Sequence, residues 1–146
     1  MRRTARTTLH AVLLAAALAV TAAPAMAEEL DKGTADSLQG IITQQLDAFA
    51  KGDEDKAASF ASPGIQQRFP GGKDFMAMVH QSYEALVKPR STRFDKAGST
   101  ALGPMQSVAL VDKDGTSWMA VYTFEQVDGQ WKINGCVLVK QEGTSV

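Results

Sequence analysis

The sequence predicts an α+β domain: three N-terminal helices packed on one face of a mainly antiparallel, four-stranded sheet. Three observations carry that prediction. Apolar residues recur at three- and four-residue steps from Asp36 to Val87, the period drops to two after Pro89, and short Gly-containing turns separate the later segments.

The first helix is predicted over 36–51. Leu38, Ile41, Ile42, Leu46 and Phe49 form its apolar stripe, Asp36 is the expected N-cap and Gly52 the C-terminal stop. Residues 28–35 are polar and read as a flexible lead-in. A second, short helix should start at Asp53, where Asp53, Glu54 and Asp55 suit the positive end of the helix dipole, with Ala57 and Phe60 turned inward. Pro63-Gly64 is expected to end it, leaving one further turn over 65–69 before Pro70-Gly71-Gly72 breaks the chain. The third helix is predicted over 73–87, with Phe75, Val79, Tyr83 and Leu86 on one face, and Pro89 closes it.

Strands are predicted over 91–97, 105–111, 117–127 and 130–140, in one domain spanning 36–141 with a tail over 142–146. Asp128-Gly129 is a strong two-residue hairpin signal, and Gly115 suits the left-handed position of the preceding turn. The segment 98–104, with two glycines and a proline, reads as a connection.

Counting back from Asp128-Gly129 in a regular hairpin assigns two faces. Trp118, Ala120, Tyr122, Phe124, Trp131, Ile133, Val137 and Val139 fall on the face expected to meet the helices. Phe75, Val79, Tyr83, Trp118, Tyr122, Phe124 and Trp131 are therefore expected between the helices and that face, where they either fill the core or line an apolar ligand pocket. Glu125 and Lys132 fall on the opposite face as a cross-strand pair. Met119, Val121, Cys136 and Leu138 form an apolar patch there, and such a patch points to a homodimer through the outer sheet face.

The N-terminus sets an expectation about compartment. Arg2, Arg3 and Arg6 precede an uncharged apolar run over 11–23, and Ala25-Met26-Ala27 fits a cleavage site ahead of Glu28. A Sec-type signal peptide over 1–27 and a periplasmic or secreted mature protein follow; the Arg2-Arg3 pair keeps twin-arginine export open. The apolar run is too short to span a bilayer, so no membrane span is expected in the mature protein. Cleavage takes away three arginines and no acid, turning a net charge of −1 into −4. A mildly acidic domain without a basic cluster argues against nucleic acid as a partner.

The stretches QQLDAFAKGD at 44–53, FMAMVHQSY at 75–83, KPRS at 88–91 and DGQWKINGCVLV at 128–139 together resemble an exported bacterial family. It is catalogued as domain of unknown function four-eight-six-four, within the nuclear-transport-factor-two-like (cystatin-like) superfold. The resemblance implies a conical domain with a curled sheet, a pocket between helices and sheet, and frequent dimers through the sheet. It implies no activity, and the superfold hosts enzymes and binding modules alike.

The residues favour binding over catalysis. An isomerase, dehydratase or hydrolase needs a carboxylate or histidine in the pocket; the expected inner sheet face has none, so the enzymatic alternative rests on His80 or Glu84. Met76, Met78 and His80 form an M-x-M-x-H run, but residues two apart on a helix diverge, and two ligands do not make a copper site. Gly71-Gly72-Lys73 lacks the strand and the hydroxyl residue of a phosphate loop. Arg90 and Arg93 are better placed to hold an anion, although such residues are commonly solvated or paired. No metal or other cofactor is expected. Cys136, the one cysteine, is read as a small apolar residue on the dimer face, with a disulfide across that dimer as its only reactive option.

Overall fold

The structure is a computed structural model that describes residues 28–143. The expected signal peptide and residues 144–146 lie outside that range.

Helix α1 spans Lys32–Lys51. It begins a turn before the expected cap because Asp31, not Asp36, accepts the free amide of Thr34 at 3.0 Å and its hydroxyl at 2.6 Å. Lys32 to Ala35 of the expected lead-in are thus helical. Gly52, left-handed at φ 68°, ends the helix as predicted. Asp53 caps α2, Glu54–Ser59. Pro63 proves to be a start, not a stop: it occupies the first position of α3, Pro63–Arg68, behind the Ser62 cap, where its missing N–H costs nothing.

Helix α4 covers Gly72–Ser82 and a 3-10 turn follows at Glu84–Leu86. The single helix expected over 73–87 is broken at Tyr83, whose backbone leaves the helical region at φ −134°, ψ 29°. Gly72 has a packing role. A Cβ there would lie 2.6 Å from the Glu54 carbonyl carbon and 2.7 Å from the Asp55 nitrogen, so the glycine lets the start of α4 touch the start of α2.

Four strands follow: β1 Ser91–Thr100, β2 Gly103–Val111, β3 Ser117–Val127 and β4 Gln130–Lys140. They pair antiparallel in the order β1-β2-β3-β4, in a curled sheet that does not close. The predicted bounds of β3 and β4 hold. The segment 98–104 is mostly strand, with only Ala101 and Leu102 between β1 and β2. At the last hairpin Asp128 (φ 50°) and Gly129 (φ 77°) are both left-handed, the backbone that an Asp-Gly hairpin turn demands.

Pairing of β3 with β4 follows the expected register only as far as Phe124 opposite Ile133. Thr123 then opposes Gly135, and Asn134 is an extra residue in a β-bulge. Every β4 residue beyond it lies on the other face from the one expected. Tyr122 opposes Cys136 and Ala120 opposes Leu138, so Cys136 and Leu138 join the helix-facing side. Val137 and Val139, expected inside, are instead 60% and 49% exposed. The cause is tertiary. Phe60 to Ser62 dock on the free edge of β4, with Ile133 N–H donating to Phe60 O and Ser62 N–H to Ile133 O, each at 2.8 Å. The Ser62 hydroxyl also donates to Asn134 Oδ1 at 2.9 Å, holding the bulged residue in place. Lys132 opposes Glu125 as expected, but its ammonium donates to Ser59 O at 2.8 Å.

The core fills the space between α1, α4 and the sheet. Leu38, Ile42, Phe49, Phe75, Val79, Val108, Ala120, Tyr122, Phe124 and Ile133 are all buried in it. Among the described residues no helix is long and apolar enough to cross a membrane.

A candidate ligand cleft beside the last strand

The break at Tyr83 and the bulge at Asn134 leave a gap between the helices and β4. A cleft of about 590 Å³ opens there. Phe49 from α1, Phe75 and Val79 from α4, and Tyr122, Ile133 and Cys136 from the sheet line it. Phe49 and Phe75 stack with ring centroids 6.3 Å apart, forming one aromatic wall. Tyr83 bridges the gap, its hydroxyl donating to Cys136 O at 3.0 Å and so occupying one carbonyl of the exposed edge.

Of the seven residues expected to line a pocket, Phe75, Val79, Tyr83 and Tyr122 do so. Phe124 is buried in the core beneath it, its ring stacked on that of Tyr122 with centroids 6.5 Å apart. Trp131 packs at the margin of the core, away from the cleft. Trp118 sits toward the opposite end of the sheet, where its indole N–H donates to Asp112 Oδ2 at 2.8 Å. Sequence reasoning missed Phe49, Ile65, Arg68 and Cys136. Phe49 belonged to the first apolar stripe and carried a signal; Cys136 was hidden by the bulge, and Ile65 and Arg68 by the short helix that holds them.

Three polar groups on the cleft wall are held in their neutral forms. The Tyr122 hydroxyl is fully buried and has no hydrogen-bond partner among the described residues, and burial first, then the Cys136 thiol, push its titration well above 10. Those two groups lie near enough to influence one another, but their geometry does not make a hydrogen bond. The Cys136 residue is half-buried, its backbone on the sheet edge and its thiol enclosed; burial pushes the thiol up to about 12. Burial also raises Tyr83, against the opposing charge of Arg68. A thiol so protonated at neutral pH is a poor nucleophile. Because it faces the cleft, it is also turned away from the outer sheet face, which removes the expected route to a disulfide across a dimer there.

His80 and Glu84 do not enter the cleft. They lie on the outer side of α4 and the 3-10 turn, with His80 Nδ1 at 2.8 Å from Glu84 Oε2 and Lys113 Nζ at 3.1 Å from Glu84 Oε1. This trio ties the 3-10 turn to the β2–β3 loop. The bond to His80 first, then that to Lys113, holds the Glu84 carboxyl below its ordinary 4.5. A carboxylate depressed in the folded state contributes stability above pH 4.5, and the contribution is lost as pH falls through the folded value. Glu84→Gln should therefore flatten the acid limb of a melting-temperature profile. Parallel acid limbs for the two proteins would show that the trio does not couple to folding.

The other candidate chemistries are accounted for as packing or surface pairing. Met76 is buried in the core while His80 is at the surface, so they do not converge. Arg90 Nε donates to Lys113 O at 3.0 Å, and Arg93 lies 3.9 Å from Asp95. Among the described residues no three His, Cys, Asp or Glu side chains are grouped to hold a metal ion.

Comparison with known proteins agrees with this architecture. A family model described as "Domain of unknown function (DUF4864)" matches residues 31–146. Among solved structures, the 1.8 Å structure of Aln2 from a Streptomyces species superposes with a TM-score of 0.52 at 12% identity, over 77% of this chain and 94% of that one. At such identity the likeness speaks for the fold alone, and the arrangement is in keeping with the nuclear-transport-factor-two-like superfold. No curated protein matches the chain.

Proposed function

Since the chain belongs to the DUF4864 family, a domain of unknown function, we propose its role from the cleft itself: an exported, non-catalytic domain that binds a small apolar ligand between α4 and β4. The observation that carries this reading is a cleft of about 590 Å³ whose half-buried walls are Ile65, Phe69, Met78 and Tyr83, with the buried rings of Phe49 and Phe75 behind them. Ligand sites typically occupy roughly 300–1,000 Å³ with mainly apolar and aromatic walls. The enzymatic alternative rested on His80 or Glu84, and both point away from the cleft. Export to the periplasm or beyond is proposed from the charged, apolar and small-residue pattern of residues 1–27.

Calorimetric titration with 1-decanol tests the reading. Native protein should bind it, and Ile65→Trp, which puts a bulky indole at a half-buried wall position, should lose that binding while keeping its melting temperature. Absence of decanol binding to the native protein would contradict it.

A second association is favoured by one specific observation. Val137 opposes Val121 and Val139 opposes Met119 on the outer sheet face, and the two β4 valines are exposed. We infer a homodimer through this four-residue patch, in place of the patch containing Cys136 and Leu138.

A further inference from the structure

The cleft also says what kind of head group its ligand carries. Among the described residues that line it, Arg68 alone is charged. It ends α3 at the cleft wall, and its charge reaches the Tyr83 hydroxyl. Like Arg90 and most of the lysines it forms no ion pair among the described residues; what sets it apart is its place, an exposed guanidinium on the rim of the cleft. A guanidinium left without a carboxylate beside an apolar wall is complementary to one chemistry, an anion attached to a hydrocarbon.

We propose that the cleft takes a single-chain anionic amphiphile, its carboxylate or phosphate on Arg68 and its chain against Ile65, Phe69 and Met78. This rests on the apolar-ligand reading above and names the ligand class. The planar fork of Arg68 presents two parallel N–H donors, which suits either head. Seating an apolar chain removes water from the mouth of the cleft, and partial loss of water makes an unmatched cation costly and a matched one favourable. The same charge disfavours a cationic amphiphile, so discrimination comes from repulsion as well as attraction.

The test is calorimetric titration of the mature chain with decanoate, decyl phosphate and 1-decanol, for native protein, Arg68→Gln and Arg68→Lys. The native protein should bind at least one of the two anions about tenfold more tightly than the alcohol. Which anion gains identifies the head group. Arg68→Gln should bring the anions down to the alcohol's affinity and leave the alcohol unchanged, which also shows the variant folded. Arg68→Lys should keep part of the gain, since it restores charge without the fork. Equal affinity for alcohol and anions, or an anion gain that survives Arg68→Gln, would overturn the head-group assignment while the apolar cleft stands. No binding of any of the three to the native protein would overturn both.

Discussion

Cys136→Asp is expected to unfold the domain, whereas Val137→Asp should leave it folded. The adjacent positions lie on opposite faces, and the bulge at Asn134 decides which is which. Cys136 is the partner of fully buried Tyr122, and its thiol is enclosed enough to be pushed up to about 12. A carboxylate placed there is desolvated where no cation acts on the thiol it replaces, a change that costs about 4 kcal/mol or more. Typical domains have only about 5–15 kcal/mol in all. Val137 is 60% exposed, so aspartate there gives up strand propensity worth up to about 1 kcal/mol. Circular dichroism and urea denaturation distinguish the two, and a regular hairpin predicts the reverse order. Val137→Asp carries a second readout. A charge in the proposed dimer patch should shift sedimentation toward the monomer, and native protein that is already monomeric at high concentration would remove the dimer.

Two substitutions of Tyr122 should move stability in opposite directions. Tyr122 is 1% exposed at the centre of the sheet, its ring on Phe124 and its hydroxyl without a partner. Tyr122→Ala leaves a cavity continuous with the cleft and is expected to cost about 3–5 kcal/mol. Tyr122→Phe removes only the buried oxygen. An unsatisfied hydroxyl carries a desolvation penalty of about 1–3 kcal/mol, so the phenylalanine variant should be the more stable protein. Chemical denaturation measures both. A destabilised Tyr122→Phe would mean that the hydroxyl has a partner, such as the Cys136 sulfur.

Local signals were sufficient wherever local chemistry decides the structure. The Asp128-Gly129 turn, the bounds of β3 and β4, the helix start at Asp53 and the Gly52 stop follow from residue types and spacing. The misreadings have physical causes of two kinds. Asp31 and Pro63 are cap-region residues whose role depends on a neighbour three residues on or one before, and the apolar stripe passed over both. The bulge and the break at Tyr83 belong to tertiary structure. Asn134 is squeezed out of register by the Phe60–Ser62 segment docking on β4, and Tyr83 leaves α4 as its hydroxyl reaches Cys136 O. Nothing within ten residues of Asn134 announces that contact except an Asn-Gly pair inside a strand, a weak sign of a bulge. One misplaced residue was enough to exchange Cys136 and Leu138 with Val137 and Val139. The candidate site was therefore legible on its helical wall and reversed on the far half of its last strand.

The central claim is that the space between α4 and β4 is an open apolar site. Backbone amide shifts in a nitrogen-15 spectrum of the mature chain, followed during titration with 1-decanol, test it most directly. The account predicts saturable shifts gathered on Arg68, Val79, Tyr83, Tyr122 and Cys136, which surround the cleft. A spectrum unmoved by decanol, or shifts confined to Met119 and Val139 on the outer face, would contradict it.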